Sequence, residues 1–338
     1  TREPRTSRHL IDLTFGPEPG AGPPLAGIAI APDPPAAPPQ QEDVSEPQDV
    51  PKPPADARTP VERTAAPVEP SKEEQAPEQV AAADARPAAP SVRLALVGRS
   101  AGRRDAMLEA AGGGSETESA VGMALEWIVK NQEKSGLWSL RGPYLDGSNQ
   151  ENRLAATAMA LLALQGAGNT THEGAHQAAV RRAWKALLGK QLPEGGFDCG
   201  AMPEAHAMYG QAQATIAVCE LLGMTEDDAV RPAAERALAY AVAAQMPDGG
   251  WRYRPPQPNS DNKGDMSVTG WFMMALKTGE MAGLGVPAEV YERLERFLDA
   301  VFISDEKGYG YQILPQQRFF QVRPAITAEA LLCRQYLG

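Results

Sequence analysis

Two short stretches bring together residue types that could do chemistry. Asp265-Met-Ser-Val-Thr-Gly-Trp271 places a carboxyl and two hydroxyls ahead of an apolar segment, whereas Asp198-Cys199 and His206 combine three zinc-ligand types. Adjacent ligands whose side chains point apart chelate poorly, so Asp198, Cys199 and His206 form only a weak zinc candidate. A capped turn with a partly buried thiol is the favoured interpretation. We therefore predict no metal and no cofactor.

Two nucleotide-binding patterns are missing from the sequence. It contains no GxxxxGK[ST] and no GxGxxG, and its three cysteines have no CxxC spacing. The net charge is -11 with no basic stripe, which argues against a nucleic-acid partner. No apolar run approaches the ~20 residues of a membrane span. These features exclude several enzyme classes and predict no membrane span.

An internal repeat surrounds the two stretches. The pattern QxxxGx followed by an aromatic recurs with starts 59 and 54 residues apart, and a degenerate copy ending in Tyr-Gly-Tyr begins 60 residues later. Each copy precedes an apolar segment with a threonine 22 to 25 residues after the motif start. A recurring period of this length indicates a repeat architecture. The motif copies are Gln132 to Trp138, Gln191 to Phe197, Gln245 to Trp251 and Asp305 to Tyr311, and the threonines are Thr157, Thr215, Thr269 and Thr327.

Each repeat predicts two helices. The segment before a motif is amphipathic, as in Ala120, Ala124, Trp127 and Ile128, so one stripe is expected to be buried and the other exposed. The segment after a motif is apolar nearly all round, so it is expected to lie inside. An outer helix, a glycine-rich turn and an inner helix, repeated four times, describe an all-α double layer.

The motif copies followed by alanine-rich inner helices resemble the terpenoid cyclase and protein prenyltransferase superfamily, which includes squalene-hopene cyclases. Members have an α/α toroid fold with "QW" repeats, and the resemblance covers about residues 116–338. It extends to bacterial toroid proteins with a proline-rich leader. In the family the motif glutamine binds the end of a neighbouring helix and the aromatic stacks on it. The resemblance thus implies a structural role for Gln132, Trp138, Gln191, Phe197, Gln245 and Trp251.

The two parts of the chain differ in composition. Residues 1–90 hold 20 of the 31 prolines, and Phe15 is the only aromatic before Trp127. Such a segment buries too little apolar surface to offset the entropy of ordering it. We predict a disordered Pro/Ala-rich tether over 1–115 and a toroid of about four helical hairpins over 116–338. We expect the toroid to continue beyond the given C-terminus, and an upstream anchor in the cell envelope is one open localisation.

The resemblance also bears on the stretch at Asp265. Squalene-hopene-type cyclases protonate an alkene with an aspartic acid of a DxDDTA motif at the start of an inner helix. Alignment on Ala275-Leu276 puts Asp265 on the first aspartate, Ser267 on the proton donor and Val268 on the third aspartate. Because a hydroxyl cannot protonate an alkene at a useful rate, we predict that this segment is not a cyclase of that type. The expected role of Asp265 is a helix N-cap.

The predicted inner helices start at one end of the domain, and their first residues should line a ligand cavity. Aromatic rings beside a few polar groups suit an apolar or isoprenoid-like ligand. The first functional hypothesis is a toroid that binds such a ligand. Two alternatives stay open: a non-enzymatic protein-interaction module on a flexible tether, and a terpene cyclase or prenyltransferase whose catalytic residues lie in further repeats. The predicted cavity residues are Arg153, His206, Tyr209, Tyr253, Asp265 and Trp271.

Overall fold

The computed structural model describes residues 113–144, 147–200, 204–313 and 322–338, together with Leu96 and Arg99, and excludes the side chains of 204–206. The predicted all-α class is confirmed, because the described residues form helices with one two-stranded antiparallel pair. None of these helices has the length and apolar character needed to cross a membrane. The elements are α1 (Ser115–Lys130), α2 (Arg153–Gly166), α3 (Gln177–Leu188), α4 (Glu204–Thr225), α5 (Arg231–Ala243), α6 (Met266–Met281), α7 (Ala288–Val301), β1 (Phe302–Ile303), β2 (Gly308–Tyr309) and α8 (Pro324–Leu337).

The helices form two layers. Helices α2, α4, α6 and α8 pack on one another in chain order. Outer helices α1, α5 and α7 each pack against the inner helix that follows them, and α3 and α5 pack against the inner helix that precedes them. Helix α6 buries residues on several sides, including Phe272, Met273 and Leu276, which are all fully buried. Helix α7 buries only one stripe, as its sequence pattern predicts. The even-numbered helices are therefore the inner layer of four helical hairpins.

The turns between the two layers share one backbone conformation. Gly136, Gly195 and Gly249 have φ values of +88°, +98° and +97°. A Cβ atom at Gly249 would lie 1.9 Å from the carbonyl oxygen of Arg293. Only glycine combines this positive φ with so close an approach of the next outer helix.

The motif glutamines join each turn to the outer helix that follows it. Gln245 Nε2 donates to the carbonyl oxygens of Gly249 and Val290, both at 2.9 Å, and its Oε1 accepts from Arg293 Nε at 2.7 Å. The other two glutamines repeat this arrangement. Their partners are Gly195, Ala233 and Arg236 for Gln191, and Gly136, Ala179 and Arg182 for Gln132.

The motif aromatics bind the inner layer. Trp251 stacks on Phe272 with ring centroids 5.5 Å apart, and its Nε1 donates to the carbonyl oxygen of Ala241 at 2.8 Å. The backbone N–H of Trp251 donates to Thr269 Oγ1 at 2.9 Å. Equivalent bonds join Trp138 to Thr157 and Tyr309 to Thr327, whereas Gln211 Oε1 replaces the threonine as the acceptor for Phe197.

Leu96 and Arg99 lie in the predicted tether and pack against the helical domain. Residues 1–112 otherwise lie outside the described residues, but Leu96 is only 2% exposed and Arg99 Nη1 donates to Glu220 Oε2 at 2.6 Å. A Cβ atom on Gly223 would lie 2.3 Å from Leu96 Cδ1. Leu96 and Arg99 thus pack near the C-terminal end of α4, at the opposite end of that helix from Tyr209.

Candidate functional site

A hydrogen-bonded cluster lies at the N-terminal end of α6, centred on Ser267. Its Oγ donates to Asp265 Oδ1 at 2.7 Å and lies 2.6 Å from the Tyr209 hydroxyl and 3.0 Å from the Tyr311 hydroxyl. The Tyr253 hydroxyl lies 2.5 Å from that of Tyr311. The cluster joins the start of α6, helix α4 and the loops that precede α6 and α8. We call these five residues the Ser267 cluster.

Asp265 is the buried member of the Ser267 cluster. It caps α6, because its Oδ1 accepts from the backbone N–H of Val268 at 3.0 Å, and its residue exposure is 0%. Its second carboxyl oxygen, Oδ2, is buried and makes no hydrogen bond within the part of the chain that the structure describes. Burial raises the pKa of Asp265, although the hydrogen bonds from Ser267 and Val268 act in the opposite direction.

The three tyrosines give the Ser267 cluster an aromatic border. The rings of Tyr209 and Tyr253 lie 6.2 Å apart between centroids and are inclined at 44°. Burial raises the pKa of Tyr209 and, more strongly, that of Tyr311, so both hydroxyls stay protonated at neutral pH. Each hydroxyl can therefore donate a hydrogen bond as well as accept one.

A second carboxyl reaches this region from α8. A Cβ atom on Gly270 would lie 2.1 Å from Glu329 Oε1, so the missing side chain on α6 makes room for the Glu329 carboxyl. Burial, together with the negative charge of Asp265, raises the pKa of Glu329 to about 7. Since no described residue hydrogen-bonds its carboxyl, Glu329 is poorly stabilised as an anion.

The predicted cavity residues do not all meet. The structure brings Tyr209, Tyr253 and Asp265 together in the Ser267 cluster. Trp271 follows Ser267 by one helical turn and is half-buried against the apolar core. Arg153 lies elsewhere, because it is exposed and pairs with Glu133, with Nη2 and Oε1 3.0 Å apart. The remaining predicted residue is His206, whose side chain lies outside the described residues.

Arg153 instead borders a different pocket, together with Asp198 and Cys199. This pocket has a volume of about 160 Å³. Lys190 Nζ binds Asp198 at 2.8 Å, and the Cys199 thiol donates to the Phe197 carbonyl oxygen at 3.4 Å. Burial raises the pKa of Cys199, which favours the thiol over the thiolate that binds metals. Within the described side chains, no group of three His, Cys, Asp or Glu residues comes together.

A pocket with basic side chains adjoins the Ser267 cluster. It has a volume of about 400 Å³, and Tyr253 belongs to both the pocket and the cluster. Arg252, Arg254 and Lys263 line it with Asp261 as the one carboxylate among the lining residues. Arg252 stacks over the Tyr253 ring at 5.7 Å and pairs with Asp261 at 3.8 Å. The net positive charge of this lining suits an anionic group.

Sequence reasoning missed two residues of this region. Tyr311 ends the degenerate fourth motif, where the pattern indicated only a structural copy. Glu329 occupies the position two residues after the repeat threonine that holds Trp271 in the third copy and Met159 in the first. An acidic residue inside an otherwise apolar inner segment was the available signal. The Glu329 carboxyl can approach α6 because residue 270 is glycine, and no pattern in the sequence predicts that contact.

Ionisation of both carboxyls in this region is disfavoured. Asp265 is buried, Glu329 is half-buried, and the negative charge of Asp265 further disfavours the ionised form of Glu329. The tyrosine rings and hydroxyls offer cation-stabilising faces and hydrogen-bond donors. Such a site can hold a neutral carboxylic acid beside aromatic rings.

Comparison with known proteins gives limited matches to two terpene cyclases. Drimenyl diphosphate synthase from Streptomyces showdoensis is 28% identical over 189 residues, which are 54% of this chain and 31% of that protein. The solved structure of ent-copalyl diphosphate synthase from Streptomyces platensis matches with 23% identity and a TM-score of 0.41, covering 62% of this chain and 37% of that one. The chain thus spans about a third of each relative. No family model matches it.

Proposed function

We propose that the helical domain is a terpene cyclase-like toroid that binds an isoprenoid-like ligand with its hydrocarbon chain against the Ser267 cluster. The observation that carries this proposal is the convergence of the Tyr209 and Tyr311 hydroxyls on that of Ser267, with the Tyr253 hydroxyl bonded in turn to Tyr311. The rings supply apolar, polarisable surface for a hydrocarbon, while their hydroxyls are hydrogen-bonded to one another and to Ser267.

The same proposal assigns the pocket beside Tyr253 to the anionic end of the ligand. Arg252, Arg254 and Lys263 can donate charged hydrogen bonds to a diphosphate, which carries the charge that this lining favours. A cyclase of the DxDDTA type is not proposed, because Ser267 and Val268 occupy the two later aspartate positions. The similarity to drimenyl diphosphate synthase supports the ligand class.

The test is calorimetric titration with farnesyl diphosphate and with farnesol, which share a hydrocarbon chain and differ in the diphosphate. Trp271→Ala should weaken binding of both compounds by about 10-fold, or 1.4 kcal/mol, through loss of apolar contact. Lys263→Ala should weaken the binding of farnesyl diphosphate by about 10-fold and leave the affinity for farnesol unchanged.

Trp127→Ala is the matched control, because Trp127 is 54% exposed on α1 and lies outside the Ser267 cluster. It should leave both affinities unchanged. If the unaltered chain binds neither compound saturably, the proposal is refuted. Equal weakening by Trp127→Ala and Trp271→Ala would refute the assignment of the binding surface.

A protein-binding module is the second candidate, and exposed apolar residues on α1 favour it. Met123 is 66% exposed and Trp127 54% exposed, four residues apart on one helical face. In-cell crosslinking of the chain should give one defined adduct that disappears in the double variant Met123→Asp, Trp127→Asp. Retention of the adduct in that variant would exclude this face.

A further inference from the structure

The inner helices contact one another through fixed positions of the repeat, counted from the repeat threonine. Gly270, one residue after the threonine of α6, faces Glu329, which is two residues after the threonine of α8. Gln165, eight residues after the threonine of α2, donates from Nε2 to the carbonyl oxygen of Ala217, two residues after the threonine of α4. An inner helix thus meets the next one with positions one and eight, and the previous one with position two.

Helix α8 exposes the face that the other inner helices turn towards the next one. Ala328 and Gln335, one and eight residues after Thr327, are both exposed. Leu331, four residues after Thr327, is 48% exposed, and Tyr336 on the same side is 41% exposed. The residues equivalent to Leu331 on the other inner helices are at most 2% exposed, namely Leu161, Cys219 and Met273. The exposed stripe of α8 is therefore one half of an inner-helix contact whose other half is missing from the described part of the chain.

Helix α2 exposes the opposite half of such a contact. Met159, two residues after the repeat threonine, is 45% exposed. Ala155, Ala163 and Gly166 lie on the same side of the helix at spacings of three and four residues, and all are small. Small side chains leave a shallow groove on this face, which the leucine and tyrosine side chains of α8 are large enough to fill.

The neighbouring outer helix, α1, exposes a residue that a preceding inner helix would cover. In the third repeat, the hydroxyl of Tyr240 on α5 contacts Met208 Sδ on the preceding inner helix, α4, at 3.9 Å. Tyr240 stands five residues before Gln245, and Trp127 stands five residues before Gln132. Trp127 is more than half exposed. A helix seated on the exposed face of α2 would therefore cover Trp127 as well.

The glutamine–arginine bond that joins successive repeats has lost both partners at these two edges. Arg182 and Arg236 each bind the glutamine of the preceding repeat, and each stands nine residues before the glutamine of its own repeat. The equivalent residue of α1 is Met123, and the turn before α8, residues 302–308, contains no glutamine. A repeat with the usual glutamine would leave it without a partner beside Met123, whereas the α8 edge brings no such glutamine.

We propose that two copies of this chain associate head to tail, with α8 of one copy packed on α1 and α2 of the other. The contact continues the packing that α6 and α8 already make within one chain. It does not depend on ligand binding, and it assigns a second copy of the chain to the apolar face of α1. Because the two surfaces differ, a pair of copies joined once keeps one free surface of each kind, so association closes into a ring or continues to larger assemblies.

Sedimentation velocity of the full chain over a range of concentrations tests the proposal. The fraction of associated chains should rise with concentration. Leu331→Asp and Met159→Asp should each move association to concentrations at least about 100-fold higher, because the contact would bury an unpaired carboxylate. Leu188→Asp is the matched control, since Leu188 is an exposed leucine on α3 outside both surfaces, and it should associate like the unaltered chain.

An equimolar mixture of the two single variants distinguishes a head-to-tail contact from a symmetric one. The mixture holds one intact α8 surface and one intact α1–α2 surface, so it should form a heterodimer and nothing larger. A symmetric contact between two α8 helices would leave Met159→Asp as associated as the unaltered chain, which would overturn the proposal. An unaltered chain that stays monomeric at about 100 µM, or a mixture that stays monomeric there, would overturn it too.

Folding of the variants is checked by circular dichroism at low concentration. Both substituted side chains are exposed in a single copy, so each variant should keep the spectrum of the unaltered chain. If either variant loses that spectrum, Tyr336→Asp on α8 or Ala163→Asp on α2 replaces it in both experiments, with the same expected results.

Discussion

The motif glutamines allow one substitution to be compared at two depths of burial. Gln245 is 7% exposed, whereas Gln132 is half-buried, yet each donates to two carbonyl oxygens and accepts from an arginine. Methionine has nearly the same length as glutamine and removes all three hydrogen bonds. We therefore consider Gln245→Met with Gln132→Met as its matched partner.

The expected losses follow from the partners of each glutamine. At Gln245, two neutral hydrogen bonds contribute about 1 kcal/mol each and the bond from Arg293 about 1.5–3 kcal/mol. Burial of the methionine thioether returns about 1 kcal/mol, so the net destabilisation is about 3 kcal/mol. At Gln132, water can replace the lost partners, and the expected destabilisation is about 1 kcal/mol.

Urea unfolding followed by circular dichroism measures both values on the full chain. A destabilisation of about 3 kcal/mol in a domain of this size lowers Tm by about 6–12 °C, so thermal unfolding gives a second measurement. The slope of the urea transition should be the same in both variants, because neither changes the surface exposed on unfolding.

If both variants lose the same free energy of unfolding, the reasoning is refuted, because burial would then not determine how much the glutamine hydrogen bonds stabilise the fold. A loss below about 1 kcal/mol at Gln245 would show that its three bonds are replaced without cost in the variant. A larger loss at Gln132 than at Gln245 would mean that the first turn supports the fold more than the third.

Three further predictions concern other parts of the fold. The pKa of Glu329 is raised in the folded state to about 7 from an ordinary 4.5, so the stability that its proton confers is complete below about pH 4.5 and is lost as pH rises through about 7. Glu329→Gln should therefore reduce the fall in unfolding free energy between about pH 5 and 8 by about 1–2 kcal/mol after allowance for partial exposure, measured by urea titration at several pH values. Leu96→Ala should destabilise by about 2 kcal/mol and accelerate tryptic cleavage after Arg99, measured by limited proteolysis, whereas unchanged cleavage would contradict a docked Leu96. Trp251→Phe removes the bond to the Ala241 carbonyl oxygen and should destabilise by about 1–2 kcal/mol in thermal unfolding, a result that an unchanged Tm would exclude.

The hairpins were predictable because the repeat is local. The distance from a motif glutamine to its glycine and aromatic is fixed within one turn, and the alternation of amphipathic and apolar segments predicts two helical layers. The arginines that bind these glutamines were not predictable. Arg182, Arg236 and Arg293 lie 45 to 50 residues from their partners, and an exposed arginine on an amphipathic helix looks like any solvated charge.

The candidate site was predictable only in part, since its members come from different repeats. Asp265 was expected as an N-cap and has that role, because capping depends on residues three positions apart. Arg153 occupies the corresponding region of an earlier repeat but meets Glu133 and a separate pocket. Repeat symmetry therefore indicated the end of the inner layer where the Ser267 cluster lies, whereas the side chains that meet there depend on substitutions that break the symmetry.

Asp265 belongs both to the hydrogen bonds of the structural repeat and to the Ser267 cluster. The backbone N–H of Asp265 donates to the Trp251 carbonyl oxygen at 2.8 Å, and the Thr269 hydroxyl that anchors Trp251 also donates to the Asp265 carbonyl oxygen. The next residue, Met266, donates its N–H to the Tyr311 carbonyl oxygen at 2.9 Å, so the fourth repeat holds the same point from the other side. Backbone hydrogen bonds from two successive repeats thus hold the backbone at Asp265 and Met266, independently of the contacts of the Asp265 carboxyl. The buried Oδ2 stays in place because turning the Asp265 side chain towards water would break the two hydrogen bonds that its Oδ1 accepts from Ser267 and Val268.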